Sequence, residues 1–210
     1  MTAAARVRIV HADSRAPQVL DAAARLFCRQ GYEGTTMREI AAAVGMQPGS
    51  LYCHFATKDE LLAAVYARGV DRICEAAQTA IGRGTDPWGR LEAACVAHLE
   101  AILRDDDYAR VVVRIRPGDV PAAAQSLIAQ RDRYESLWTP LIDALPLPPR
   151  TDRRALRLML LGALNGSQTW YRPDGPASPR QLARRFVALL ARGPDDPQRA
   201  RSGRPAAVRR

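Results

Sequence analysis

Apolar residues recur along this chain with the period of a helix, and nowhere with the strict alternation of a half-buried strand. Val19, Ala23 and Phe27, flanked by Leu20, Ala24 and Leu26, fall on one face and predict a first helix over about 15–30, closed by Gly31. Helix starts then recur. Thr36 with Glu39 fits a capping box, in which the hydroxyl takes an orphan amide and the carboxylate reaches back; Thr57 with Glu60 repeats it. Asp86-Pro87 offers a cap and a proline at the first helical position. Thr151 is expected to cap a helix through about Tyr171, and Ser178-Pro179 with Gln181 one running to about Ala191. Between these lie apolar-periodic stretches near 58–82, 87–104 and 121–145, broken at 116–119 and 145–149 by Pro and Gly. The expected fold is all-α: an N-terminal three-helix domain and a larger C-terminal helical domain.

Composition supports that picture without naming a function. Hydrophobic residues make up 47% of 210, enough for a core, and alanine and leucine outweigh β-branched and aromatic residues. The formal net charge of +9 is compatible with nucleic acid, an anionic surface or an acidic ligand. Part of it is local, because the stretch after Ala191 carries six arginines against two aspartates. Lys58 is the single lysine. The cysteines Cys28, Cys53, Cys74 and Cys95 form no C-x-x-C pair and no His stands at metal-ligand spacing, so neither a metal nor a cofactor is called for. No apolar run approaches the roughly 20 residues of a bilayer span. The expected setting is the cytoplasm, with no membrane partner. Residues 1–14 read as a flexible arm, 15–57 and 58–192 as the two domains, and 193–210 as a disordered basic tail.

The stretch from Thr35 to Leu62 carries the chemistry. A short helix from Met37 to about Val44 points Met37, Ile40, Ala41 and Val44 inward. Gly45 permits a left-handed turn, Met46 returns to the core, and Pro48 opens a second short helix with Leu51 and Phe55 inward. Two short helices around a glycine turn make a helix-turn-helix. The second presents Gln47, Pro48, Gly49, Ser50, Tyr52 and His54 outward. Gln47 and Ser50 can bond base edges, Gly49 lets backbone approach DNA, and Tyr52, His54 and Lys58 can reach phosphates. The Thr36 amide at a helix start is a further phosphate site, and Thr36 and Met37 complete the expected DNA-contacting set.

Leu26-Phe27, Gly31-Tyr32, Thr35-Thr36, Ile40-Ala41, Val44-Gly45, Gly49 through Phe55 and Lys58-Asp59-Glu60-Leu61 together resemble the N-terminal domain of the TetR/AcrR family over about 45 residues. The resemblance implies an all-helical homodimeric regulator that binds double-stranded operator DNA and is usually released by a small molecule. Two positions depart from the pattern: Gln47 stands where a Ser or Thr cap is frequent, and Cys53 where a ring or basic residue is usual.

The remaining chain is expected to build a sensor and a dimer face. Leu156, Leu160, Ala163 and Leu164 form a stripe, with Gly162, Gly166 and Ser167 allowing close approach, and Phe186, Val187, Leu189 and Leu190 give the last helix an apolar side. Arg131 through Glu135 with Trp138, Gly162 through Asn165, and Trp170 through Gly175 resemble the sensor domain of TetR regulators of fatty-acid and sterol breakdown, several of which respond to acyl-CoA thioesters. That implies an apolar effector. The candidate lining is Leu99, Ile102, Leu103, Leu127, Ile128, Trp138, Leu141 and Trp170, with Arg110, Arg114, Arg131 and Arg172 as anion partners. Competing readings are a repressor answering a drug-like hydrophobe, a ligand-independent DNA-binding protein, and a helical enzyme. The last finds no support in His11, His54 and His98, which are few and scattered, and the Asp105–Asp107 run reads as a helix cap, so no catalytic residue is assigned.

Overall fold

A computed structural model describes residues 15–104 and 106–192. The expected arm at 1–14 and tail at 193–210 lie outside them. Ten α-helices follow in order: α1 (Ala16–Gln30), α2 (Met37–Ala43), α3 (Pro48–His54), α4 (Lys58–Ile81), α5 (Pro87–Ile102), α6 (Asp107–Arg114), α7 (Ala124–Ser136), α8 (Trp138–Asp143), α9 (Arg153–Gly166) and α10 (Pro179–Arg192). Short 3-10 turns occupy Pro117–Asp119 and Ser167–Thr169, and no strand occurs among the described residues.

The caps explain most of these boundaries. Glu39 N–H donates to Thr36 Oγ1 at 3.2 Å while Thr36 N–H donates to Glu39 Oε2 at 2.8 Å, the reciprocal pair of a capping box. At α4 the box is shifted by one residue: Glu60 N–H donates to Thr57 Oγ1, but the Glu60 carboxylate takes the amide of Ala56. Asp86 Oδ1 caps α5 through Gly89 N–H, and Asp106 Oδ1 takes the amides of Tyr108 and Ala109 at the start of α6. Ser178 and Gln181 close the box of α10.

Three boundaries differ from the sequence expectation. The cap of α9 is Asp152, whose Oδ1 accepts from Ala155 N–H, and not Thr151; a carboxylate at a helix start also meets the positive end of the helix dipole. That helix ends at Gly166 rather than near Tyr171, where Ser167 Oγ turns back to Leu164 O and competes with the helical ladder. The 121–145 stretch is two helices. Pro140 has no N–H to give the carbonyl one turn back and its ring crowds it, so α7 stops at Ser136 and α8 restarts at Trp138.

The chain divides into two compact units. The first takes the chain through Asp71 and returns for the stretch that ends at Asp132. It therefore holds α6 and most of α7 beside α1–α3, whereas the sequence places one boundary at 57/58. Its core includes Val19, Ala23, Phe27, Ile40, Leu51 and Leu61, and α1 packs on both α2 and α6. Tyr108 on α6 donates its hydroxyl to Asp21 on α1 at 2.7 Å. Helix α6 also comes close to α4 at Gly69, where an added Cβ would stand 2.6 Å from Val112 Cγ2 and 3.0 Å from the Tyr108 carbonyl oxygen.

The second unit runs over Arg72–Arg104 and resumes at Arg133. Its main packing pair is α5 with α10, which run antiparallel: Glu92 meets Arg184 and Glu100 meets Arg180 on the exposed side, at 2.9 and 3.3 Å. Those surface pairs add little; the joint is made by Leu91, Cys95 and Leu99 on α5 and by Leu182, Ala183 and Val187 on α10, all buried. Helices α8 and α9 also pack on α5. Among them lies His98 of α5, 2% exposed. Its Nδ1 meets the Tyr134 hydroxyl at 2.6 Å and its Nε2 meets Asn165 Oδ1 at 3.1 Å, with the Trp138 ring edge-on. Burial lowers the His98 pKa from 6.5 to about 4, against the smaller raising effect of the Asn165 bond.

Two outcomes follow for stability. Gly69→Ala should lower stability by about 1–3 kcal/mol, because a backbone carbonyl, and not only a flexible side chain, must yield; an unchanged thermal midpoint would show that α4 and α6 have slack at this point. His98 is neutral when folded but takes a proton in the unfolded chain below pH 6.5. Its stabilisation is therefore full above that pH and is lost as the pH falls toward 4, with an upper bound on the order of 3 kcal/mol. The slope of unfolding free energy between pH 6.5 and 4 should be shallower in His98→Leu than in the parent. Parallel slopes would mean that carboxylates carry the whole acid response.

Candidate nucleic-acid interface

The turn between α2 and α3 is built by backbone bonds around one residue. Gly45 adopts φ +64°, a conformation that costs an L side chain about 1 kcal/mol or more. Gly45 N–H reaches Ala42 O at 3.1 Å and Met46 N–H folds back onto Ala41 O at 2.9 Å. Ile40, Ala41 and Leu51 are buried against this turn, while Val44, Met46 and Phe55 are half-buried. The outer side of α3 carries the expected set: Gln47, Gly49, Ser50 and His54 are exposed, and Tyr52 is 50% exposed. Gln47 is the N-cap residue of α3, yet its side chain makes no capping bond. Pro48, at the first helical position, has no N–H to satisfy, and the Gln47 amide group, unused as a cap, remains available to another partner. Nothing stands within 4 Å of a Cβ built on Gly49.

Three of the expected contact residues are already engaged within the chain. Lys58 Nζ donates to Tyr32 O at 2.8 Å and to Thr35 O at 3.1 Å, and stands 4.1 Å from the centre of the Tyr32 ring. Two of the three ammonium donors thus hold the loop between α1 and α2 onto the start of α4, where the sequence suggested a phosphate contact. The Thr36 amide is bonded to the Glu39 carboxylate, as is the Thr36 hydroxyl. Those Thr36 bonds hold the Glu39 carboxyl below its ordinary pKa. Met37 is buried, which leaves its backbone as the part that can face a ligand.

Sequence reasoning missed the partners of Lys58. Tyr32 donates its hydroxyl to Asp59 Oδ1 at 2.5 Å, and Thr35, fully buried, donates to Gly31 O at 2.7 Å. Burial first, and then the bond to Asp59, push the Tyr32 phenol up. The signal was present: a Gly-Tyr-x-x-Thr-Thr loop holds polar residues between two apolar helices, and such groups need partners when buried.

The candidate ligand residues divide between the units. In the first unit Leu127 is buried and Ile128 exposed. Arg110 and Arg114 turn to α1, Arg110 Nη1 lying 4.0 Å from Cys28 Sγ and Arg114 Nη1 donating to Cys28 O at 3.3 Å. Arg131 meets its exposed neighbour Asp132. In the second unit Leu99, Ile102, Trp138 and Leu141 are buried and Leu103 is half-buried, but Trp170 and Arg172 lie at the surface. This unit has an apolar cleft of about 370 Å³ beside the end of α4, the start of α5 and α8. Ile81, Pro87, Leu137, Pro140 and Leu141 line it, with Gln78 and Arg90 as its long polar side chains. Only Leu141 of the candidates contributes. No helix among the described residues is long and apolar enough to cross a membrane.

Known proteins agree with this geometry. Residues 19–65 match the family described as bacterial regulatory proteins, tetR family, and residues 84–194 match the tetracyclin repressor-like C-terminal domain. The transcriptional repressor KstR2 of Mycobacterium tuberculosis is 27% identical over 188 residues, 86% of this chain and 93% of its own. The transcriptional activator FasR of Mycolicibacterium smegmatis is 29% identical over 168 residues, 78% of this chain and 75% of its own. Among solved structures, AibR in complex with isovaleryl coenzyme A and operator DNA superposes with a TM-score of 0.71 at 26% identity, over 83% of this chain and 97% of AibR. Helix-turn-helix and C-terminal domain are both accounted for, and the chain belongs to the tetR family of bacterial transcriptional regulators.

Proposed function

We propose that this chain is a ligand-responsive repressor that binds a palindromic operator as a homodimer and is released by a small apolar effector, an acyl-CoA thioester being the leading candidate. The observation that carries the DNA half is the outer side of α3. Gln47, Gly49, Ser50 and Tyr52 stand exposed on a short helix whose inner side is fixed by buried Leu51 and by the Gly45 turn. Base edges are read by polar side chains held on such a rigid support. The dimer half is supported by apolar surface on two helices that pack on α5. Leu158 and Met159 on α9 and Leu189 on α10 are exposed, Met159 by 57% and Leu189 by 64%, and a Cβ added at Gly162 or Gly166 meets nothing within 4 Å. Small residues among exposed apolar ones suit a close isologous contact with a second copy.

The effector half rests on the sensor-like segments and on the AibR complex, whose ligand is a coenzyme A thioester. One observation favours the competing hydrophobe reading: the cleft of about 370 Å³ is lined mainly by apolar side chains, and that volume suits a drug-sized molecule. In either case release requires that the effector bind the DNA-free conformation more tightly, and DNA must weaken the effector by the same factor.

Selection from random DNA should return an inverted repeat, since a two-fold dimer needs a two-fold site with reading helices about 34–36 Å apart; a selected site with no dyad contradicts the dimeric reading. Gln47→Ala should change base preference by about 1–3 kcal/mol at one position, whereas Tyr52→Phe should weaken all sequences alike. Equal, sequence-blind losses would reverse the assignment of Gln47. For the effector, the protein–operator complex should release DNA when titrated with long- or short-chain CoA esters and not with CoA alone. Release by a neutral hydrophobe only would move the assignment to the second reading, and a complex indifferent to both would leave a ligand-independent DNA-binding protein.

A further inference from the structure

The apolar cleft of the second unit is lined by residues that resist its closure. Two of them are rings, Pro87 on α5 and Pro140 on α8, and two have little or no side chain, Gly82 and Ala144. Prolines have no rotamers to lose and the small residues nothing to fold inward, so the space of about 370 Å³ is preformed. One lining side chain carries charge, Arg90 in the first turn of α5. The turn before that helix holds it. Arg90 Nε donates to Gly84 O at 3.3 Å, and a Cβ built on Gly84 would stand 2.7 Å from Arg90 Cγ, so turn and stem are in direct contact. A guanidinium has five N–H donors, and this bond uses one. The carboxylates nearest in sequence are engaged elsewhere: Asp86 Oδ1 takes the Gly89 amide and Glu92 pairs with Arg184. Among the described residues no carboxylate pairs with Arg90.

We propose that this cleft is a binding site for an apolar carboxylic acid, its hydrocarbon part against Ile81, Leu137 and Leu141 and its carboxylate taking paired N–H bonds from the terminal nitrogens of Arg90. Gln78, also in the lining, is a neutral donor for the same group. The inference rests on the second effector reading above, the small hydrophobe, and gives that hydrophobe a charge. The lining separates three ligand classes. A neutral hydrophobe fills the space but leaves the guanidinium unused. An acyl thioester has no charge at its carbonyl, and the phosphates of coenzyme A call for several cations where the cleft has one. A free acid matches one charge with one charge, and a planar fork suits a planar carboxylate. The place also differs from the sensor lining expected from sequence. Leu99, Ile102 and Trp138 are buried in the core, and Leu141 alone is shared with the cleft.

The test is calorimetric titration of the full-length protein without DNA, with octanoate, octanol and octanoyl-CoA as probes. Octanoate should bind about fivefold tighter than octanol, the effect of a partly exposed charge-assisted pair. Arg90→Gln should abolish that preference, and Arg90→Lys, which keeps the charge but not the fork, should keep part of it. Ala144→Phe fills the cleft from an exposed position and should weaken octanoate and octanol together at an unchanged thermal midpoint. Octanol binding as tightly as octanoate, or a preference that survives Arg90→Gln, overturns the carboxylate proposal and leaves the hydrophobe reading standing. Octanoate binding untouched by Ala144→Phe places the acid elsewhere and overturns the site. Octanoyl-CoA binding alone overturns both in favour of the thioester reading, and silence of all three probes overturns the site outright. The same probes are then added to the protein–operator complex. Arg90-dependent binding of octanoate with no release of DNA supports the site and overturns the effector reading on which it rests.

Discussion

A polar side chain taken out of water must find a partner inside, because the loss from leaving it unbonded exceeds what a typical hydrogen bond contributes. Among the described residues three polar side chains are buried: Thr35, His98 and Ser167. Each marks a place where the backbone or a neighbouring helix is pinned. Thr35 fixes the loop between α1 and α2 through Gly31 O, and Ser167 ends α9 through Leu164 O. His98 joins α5 to α7 and α9. The apolar core supplies most of the driving force for collapse, but it is nearly indifferent to rotation of one helix against another. These few directional bonds select the arrangement.

The same logic links the first unit to its task. Reading a base sequence demands that the reading helix be held within a fraction of an ångström, while the loop before it must stay polar enough to lie beside DNA. Lys58, Tyr32 and Asp59 meet both demands together: charge is retained, yet each charged group is used in a directed contact. Helix α3 is too short to be stable alone. Its exposed residues owe their geometry to Leu51, to the Gly45 turn and to this knot behind them.

Much of the fold was legible in the sequence. Helical period, the Thr36 cap and the glycine turn placed α1 to α3 within a residue or two, since these signals are local. The Asp152 cap and the break at Ser136 were not, because Thr151 competes on equal propensity and Pro140 acts on the turn before itself. The exposed side of α3 could be read directly, as alternation of Leu51 with polar neighbours defines it. The role of Lys58 could not: a lysine four residues past a reading helix suits a phosphate as well as two carbonyls, and only the fold brings Tyr32 O within reach. Arg110 and Arg114 show the same limit, their partners lying more than eighty residues away. His98 had a readable signal, a polar residue on the buried period of α5, but its partners on α7 and α9 are again tertiary.

Lys58 has one more property that follows from its setting. Every other cationic side chain apart from the three histidines is a guanidinium, so this is the one side-chain primary amine on the chain. Its nitrogen is held by two carbonyl oxygens and lies over an aromatic ring, so an acylating reagent must part it from these partners. Its reactivity therefore measures how often the clasp opens, without background from other side-chain amines. Once acylated, the nitrogen keeps a single N–H and can no longer serve both oxygens. Covalent capture of the open state would leave the domain unable to close its own loop, turning a transient fluctuation into a permanent loss of order.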